Sequence, residues 1–210
     1  MKSFNPDEIR EIPLKNSWLA AFLAWLCPGL GHFYQGRTAK GVIFFCTITP
    51  LIAAGLWMGS YWEGGAASGN APAAARRLAF AKNAYCQWEP GNRRLYFIPQ
   101  ALNASIAVPA LLQASAVRDG APPLWNGAFA PPASAAYSSP GPVPGRPTLN
   151  AILYHLDSWF EMGTIFLAAA GLLNLLVIFD ALFGPAWIIP DEVKDELVSG
   201  GPKKDISQLG

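Results

Sequence analysis

Three short constellations in this 210-residue chain carry residue types that do chemistry. The first, Gly31-x-x-x-x-Gly36-Arg37-Thr38, nearly spells a phosphate-binding P-loop. That loop requires a lysine where Arg37 stands and a β-strand before it, because backbone amides cradle phosphate only in a strand–loop–helix setting. A long apolar run precedes it here, so no nucleotide site is expected. The same segment holds His32, Tyr34 and Arg37, which as a set offer a proton or anion site near neutral pH. The favoured reading is a turn whose polar side chains bond backbone groups freed by Pro28 and the neighbouring glycines.

The second constellation is His155-Leu156-Asp157 with Ser158 and Glu161. It has the ingredients of hydrolase or metal chemistry, but helical positions i and i+2 do not face one another. Ser158 and Glu161 fit a capping box instead, in which each satisfies the other's orphan backbone donor. The third is Asn174 with Asp180, the polar residues of the last apolar run. An ionisable group inside a membrane is a functional hypothesis by default, yet Asp180 stands close to the exit of its run. Asn174 continues a stripe of small residues (Thr164, Ala168, Gly171), matched by Ala20, Ala24, Cys27 and Gly31 in the first run. Such stripes let helices approach closely, and a buried asparagine adds cross-helix hydrogen bonds. Packing is the role expected of both. With no paired catalytic carboxylates, metal spacing or nucleophile–base set, no enzyme, catalytic residue, cofactor or metal is expected.

The elements that position these residues are membrane helices. The chain is 52% hydrophobic and 14% charged, against about 25% charge in an ordinary globular domain. A net charge of +1 gives no field pointing to nucleic acid. Cys27, Cys46 and Cys86 are odd in number and widely spaced, which argues against a disulfide framework or a zinc site. The N-terminus mixes Asp7, Glu8 and Glu11 with its basic residues, and Pro28 and bulky aromatics stand where a cleavage site would be. The first apolar run is therefore expected to stay as an anchor.

The predicted organisation is all-α: an integral membrane bundle of four spans. Residues 1–16 form a cytoplasmic tail, and 17–61 a transmembrane hairpin around the turn PGLGHFYQGRTAKG at 28–41. Residues 62–94 are a basic, aromatic linker and 95–117 a third span, with a re-entrant or interfacial course as its alternative, since it contains Pro99, Pro109 and Asn103. Residues 118–157 are a Pro/Gly-rich extracytoplasmic loop, 158–184 the last transmembrane helix and 185–210 a tail. With four spans, eleven Lys and Arg lie on the N-terminal side (2, 10, 15, 76, 77, 82, 93, 94, 194, 203, 204) and four on the other (37, 40, 118, 146). The positive-inside rule then puts both termini in the cytoplasm.

Gly31-His32-Phe33-Tyr34-Gln35-Gly36-Arg37, followed by Lys40-Gly41, resembles the glycine-rich turn of the "TM-two" type of two-helix membrane domain. It is closer to a bacterial group with P-G-L-G-H-x-Y-x-G-x-x-x-K-G here, whose last helix carries Gly-Leu-Leu-Asn and an aspartate, as in Gly171-Leu172-Leu173-Asn174 and Asp180. The likeness covers about 60 residues at the two ends of the chain. It implies a small multi-pass protein of the bacterial inner membrane and supplies no reaction. The residues singled out are thus Pro28, Gly29, Gly31, His32, Tyr34, Gly36, Lys40, Gly41, Gly171, Asn174 and Asp180, as turn and packing residues. The expected role is a non-enzymatic interaction or scaffold component of the lipid bilayer, with a membrane-protein partner or a second copy. The alternative is a small transporter or channel subunit using His32, Asn174 and Asp180.

Overall fold

A computed structural model describes residues 15–63, 77–89, 92–133 and 146–184. The N-tail before residue 15, the C-terminal tail and the middle parts of both linkers lie outside the described residues. The described chain is mostly helical, and among the described residues two helices are long and apolar enough to cross a membrane: α3 (Thr38–Met58) and α7 (Ser158–Phe183). They run antiparallel. Near one end Lys40 meets Asp180, and near the other Gly55 packs on Gly163 and Leu167. A Cβ on Gly163 would lie 2.8 Å from the Gly55 carbonyl oxygen, so here the two helices touch backbone to backbone.

The first apolar run does not form one long helix. Asn16 caps α1 (Ser17–Leu26) by accepting from the Trp18 and Leu19 amides at 3.1 and 3.3 Å. The helix stops because Cys27 precedes Pro28, and a residue before proline is pushed out of the helical region; Cys27 is extended. Gly29 then adopts a left-handed φ of 85° and starts α2 (Leu30–Tyr34), which folds back along α1. A Cβ on Gly31 would fall on the Ala20 carbonyl oxygen, so only glycine permits this return. The Lys15 ammonium lies 5.2 Å from the centroid of the Tyr34 ring, so the two ends of the run come together. A stretch read as a span is a short hairpin.

The stretch at 95–117 is likewise divided. It contains α4 (Phe97–Gln100) and, after Asn103, α5 (Ala104–Arg118), with Pro109 inside α5. Of the two courses weighed for it, an unbroken span does not form. The tips of the two broken runs meet beside the middle of α7, where Trp25 Nε1 donates to the Ala101 carbonyl at 3.0 Å. Ala20, Ala24, Ile48, Ile106, Leu167, Ala170 and Val177 make the core between these elements.

The linkers depart from an all-helical reading. Tyr61–Glu63 (β1) pairs antiparallel with Arg77–Ala79 (β2), and Trp88–Glu89 (β3) with Asn92–Arg93 (β4). The loop at 118–157 contains a 3-10 turn, Trp125–Gly127, and a helix, α6 (Leu149–Leu156), that begins just past the last proline. Thr148 caps α6 by accepting from the Ala151 amide. The capping box expected at Ser158 is absent: Asp157, at φ 46°, occupies the N-cap position without a side-chain bond, and Ser158 is already helical.

Candidate functional site

The turn between α2 and α3 closes on the last turns of α7. Both carboxylate oxygens of Asp180 are engaged by Lys40 Nζ, at 3.2 and 3.1 Å. Arg37 Nη2 lies 3.5 Å from Oδ2, and His32 Nε2 lies 3.3 Å from the same oxygen without hydrogen-bond alignment. The α7 backbone is gripped as well. Gln35 Nε2 donates to the Ala181 carbonyl at 2.7 Å, and Arg37 Nη1 to that of Asp180 at 3.4 Å.

Both carbonyls belong to the last turn of α7, whose negative end carries roughly half a charge; that of Asp180 also accepts from the Gly184 amide at 2.9 Å. Two permanent cations therefore face one carboxylate and one negative helix end, which leaves the cluster close to neutral. His32 is fully buried, its ring 5.0 Å from that of Phe44. The arrangement is a clasp made of the chain's own groups. The P-loop-like spacing takes no part in it, since α2 occupies the place where a phosphate loop would lie.

The other residues singled out support the clasp or a second junction. Tyr34 lies beneath Lys15, Gly36 turns the chain at φ 80°, and Gly41 packs under the Phe33 ring. Gly29 sits so near Gly41 that a Cβ would fall on the Gly41 carbonyl oxygen. Pro28 ends α1. Farther along α7, a Cβ on Gly171 would fall on the Pro99 carbonyl oxygen. Asn174, fully buried, donates from Nδ2 to the Ala24 carbonyl at 3.2 Å and the Leu102 carbonyl at 2.9 Å. One amide thus satisfies a backbone carbonyl at the tip of each broken run. Asn103, at the same tip as Leu102, is buried with neither amide atom paired.

The profile of a Family of unknown function (DUF6677) matches residues 19–194, from the third residue of α1 through α7, with both the clasp and the junction. The chain belongs to this family. No curated protein and no solved structure matches it.

The DUF6677 region holds a second polar cluster that sequence reasoning missed. At the Gly55–Gly163 end, Asn83 Nδ2 donates to the Gly55 carbonyl at 2.8 Å. The Asn83 carbonyl accepts from Arg94 Nη2 at 2.7 Å and from Gln100 Nε2 at 3.4 Å. Arg94 Nη2 also lies 3.2 Å from Thr164 Oγ1. Next to Asn83, Lys82 is almost wholly enclosed and donates to the Gly127 carbonyl at 2.6 Å. Burial pulls the Lys82 ammonium down to about 8, against the pull of Glu63. Burial also lowers the Arg94 guanidinium below its usual range. In the sequence both residues look like members of a basic surface linker; the one hint is the pair Arg93-Arg94 directly before an apolar stretch. His155, from the hydrolase-like constellation, is stacked on Tyr61 at 4.6 Å between ring centroids and meets no partner for catalysis among the described residues.

Proposed function

We propose that this chain is a multi-pass integral membrane protein of the bacterial inner membrane, acting as a non-enzymatic interaction or scaffold component. The observation that carries the membrane reading is the outward surface of α3 and α7. Ile43, Phe45, Ile165, Leu172, Leu176 and Phe179 all face away from the protein. In water so continuous an apolar surface would drive aggregation, whereas lipid solvates it. The non-enzymatic reading rests on the clasp, in which both oxygens of Asp180 are already taken by the chain's own cations.

In this reading α3 and α7 cross the bilayer, while α1–α2 and α4–α5 dip in from opposite faces and return. Broken backbone at such depth is tolerated where protein surrounds it, and Asn174 supplies that cover. Residues 15, 35–40 and 184 then share one side, and the linkers at 62–94 and 118–157 the other. The charge count becomes eight (2, 10, 15, 37, 40, 194, 203, 204) against seven (76, 77, 82, 93, 94, 118, 146). The margin that oriented a four-span course is gone, so labelling must assign the sides. In a cysteine-free background, Ala39→Cys should react from the same side as Ser199→Cys. Reaction from the side of Ser139→Cys would restore four spans. Co-purification in mild detergent should yield a stoichiometric partner or a homo-oligomer; a monodisperse lone chain would sink the scaffold role.

One observation favours a second reading, a transport or channel subunit. Two broken helices meet at Asn174, inside α7, an arrangement that serves solute sites in transporters. Flux in proteoliposomes that disappears in Asn174→Ala would establish it.

A further inference from the structure

Among the described residues, Arg94 is a cation with no anionic partner. Its Nη2 is spent on the Asn83 carbonyl and Thr164 Oγ1. The guanidinium lies 4.0 Å from the centroid of the Tyr85 ring and 5.1 Å from that of Phe160. Nε is buried with no acceptor, the Tyr85 side chain favours the charged form, and Nη1 is not one of the buried unpaired atoms. Among the described residues no carboxylate comes within ion-pair distance. Glu63 is taken by Arg77 at 3.2 Å and by the Tyr61 hydroxyl at 2.9 Å. Glu161, one turn before Thr164, is exposed and makes no ion pair with Arg94. A guanidinium does not shed its proton to escape burial, and a desolvated charge without a counter-ion is strongly unfavourable. Something anionic belongs at Nη1.

We propose that Arg94 anchors a binding site for the phosphate of an anionic lipid, at the end of the α3–α7 pair where exposed aromatic residues gather. The proposal rests on the membrane reading. Trp57, Trp62, Trp88, Tyr96, Tyr154 and Trp159 are all exposed at this end. Amphipathic rings collect where a bilayer presents its headgroups. Leu95 and Ile98, both exposed, flank Arg94 with surface suited to acyl chains. Arg94 thus lies where lipid phosphates reside, its planar donor fan shaped for phosphate oxygens.

The test uses the full chain in neutral detergent, following thermal unfolding as phosphatidylglycerol, phosphatidylcholine or inorganic phosphate is added. Wild type should melt higher with phosphatidylglycerol and little changed with the other two. Arg94→Met should lose that shift while melting no lower than wild type without lipid, because it removes an unpaired buried charge. Arg93→Gln, whose parent lies over the Trp88 ring and makes no contact with Asn83 or Thr164, should keep the shift. If Arg94→Met melts lower to the same extent with and without lipid, Arg94 is only a strap between Asn83 and Thr164 and the proposal falls. An equal shift from inorganic phosphate replaces the lipid by a free anion and also overturns it. Should Arg94→Met fail to accumulate, Arg94→Gln undergoes the same comparison, and the same outcomes support or overturn the site. A chain that stays dispersed without detergent sinks the membrane reading before any lipid is added.

Discussion

The two ends of the α3–α7 pair handle positive charge in opposite ways. At the Asp180 end, Arg37 and Lys40 meet a carboxylate and the carbonyl end of a helix. At the Gly55–Gly163 end, Arg94 and Lys82 meet backbone carbonyls and aromatic faces. A carbonyl dipole satisfies a donor but does not neutralise a charge. The first end is therefore electrostatically complete within the chain, whereas Arg94 at the second meets no carboxylate among the described residues. This makes the clasp a holding device and the opposite end the place to look for outside ligands.

The comparison breaks most severely where backbones touch. Gly31→Val should drive a side chain into the Ala20 carbonyl and lift α2 off α1, and Gly163→Val should force α7 from α3 at Gly55. Each should cost about 3 kcal/mol or more, the upper range for overpacking, and show as loss of monodisperse protein after extraction. If the ends are independent, Gly31→Val leaves the shift by phosphatidylglycerol intact in whatever folded fraction remains, whereas Gly163→Val abolishes it.

Removing charge should separate the ends next. Asp180→Ala leaves Arg37 and Lys40 facing each other without a carboxylate, and should destabilise by about 1–2 kcal/mol, less than a fully buried pair because the cluster is partly exposed. Arg94→Met in lipid-free detergent should cost nothing. Equal losses from the two substitutions, measured by thermal unfolding, would erase the distinction. Added salt sharpens it: about 0.5 M should weaken the part-exposed clasp, through a Debye length of a few ångströms. Asp180→Ala should be nearly blind to the same change.

Sequence alone makes α3 and α7 legible, because uncharged, mostly apolar runs at 42–61 and 162–179 admit few other structures. The first run meets the same length criterion and misleads, since hydropathy counts residues and not direction. Pro28 and Gly29 read as a kink near an interface, yet they reverse the chain after ten helical residues. The structure places His32, Lys40 and Asp180 at the clasp, Gly171 and Asn174 at the junction, and the others along the α1–α2 hairpin and the turn that follows it. That Lys40 and His32 converge on Asp180 is not readable, because the contact joins positions 140 residues apart. Arg94 and Lys82 are hidden for a related reason. A basic residue beside a membrane segment looks solvated until tertiary neighbours enclose it.

A separate expected effect is a pH dependence confined to the Arg94 end. Enclosure lowers the Lys82 ammonium to about 8 in the folded chain, whereas an unfolded lysine titrates near its ordinary value of about 10.4. Between these limits the unfolded state binds more protons, so stability rises with pH in that window and is flat below it. Tyr61 acts the other way. Its phenol is raised by burial and by its bond to Glu63, so the stability it lends is lost as unfolded tyrosine ionises above about pH 10. Melting temperature in detergent should therefore climb from about pH 8 to 10 and then turn over. Lys82→Met should flatten the climb and leave the turnover, and Tyr61→Phe the reverse. A climb that survives Lys82→Met but disappears in Asp180→Ala would move the titrating group to the clasp, and the contrast between the two ends would fail.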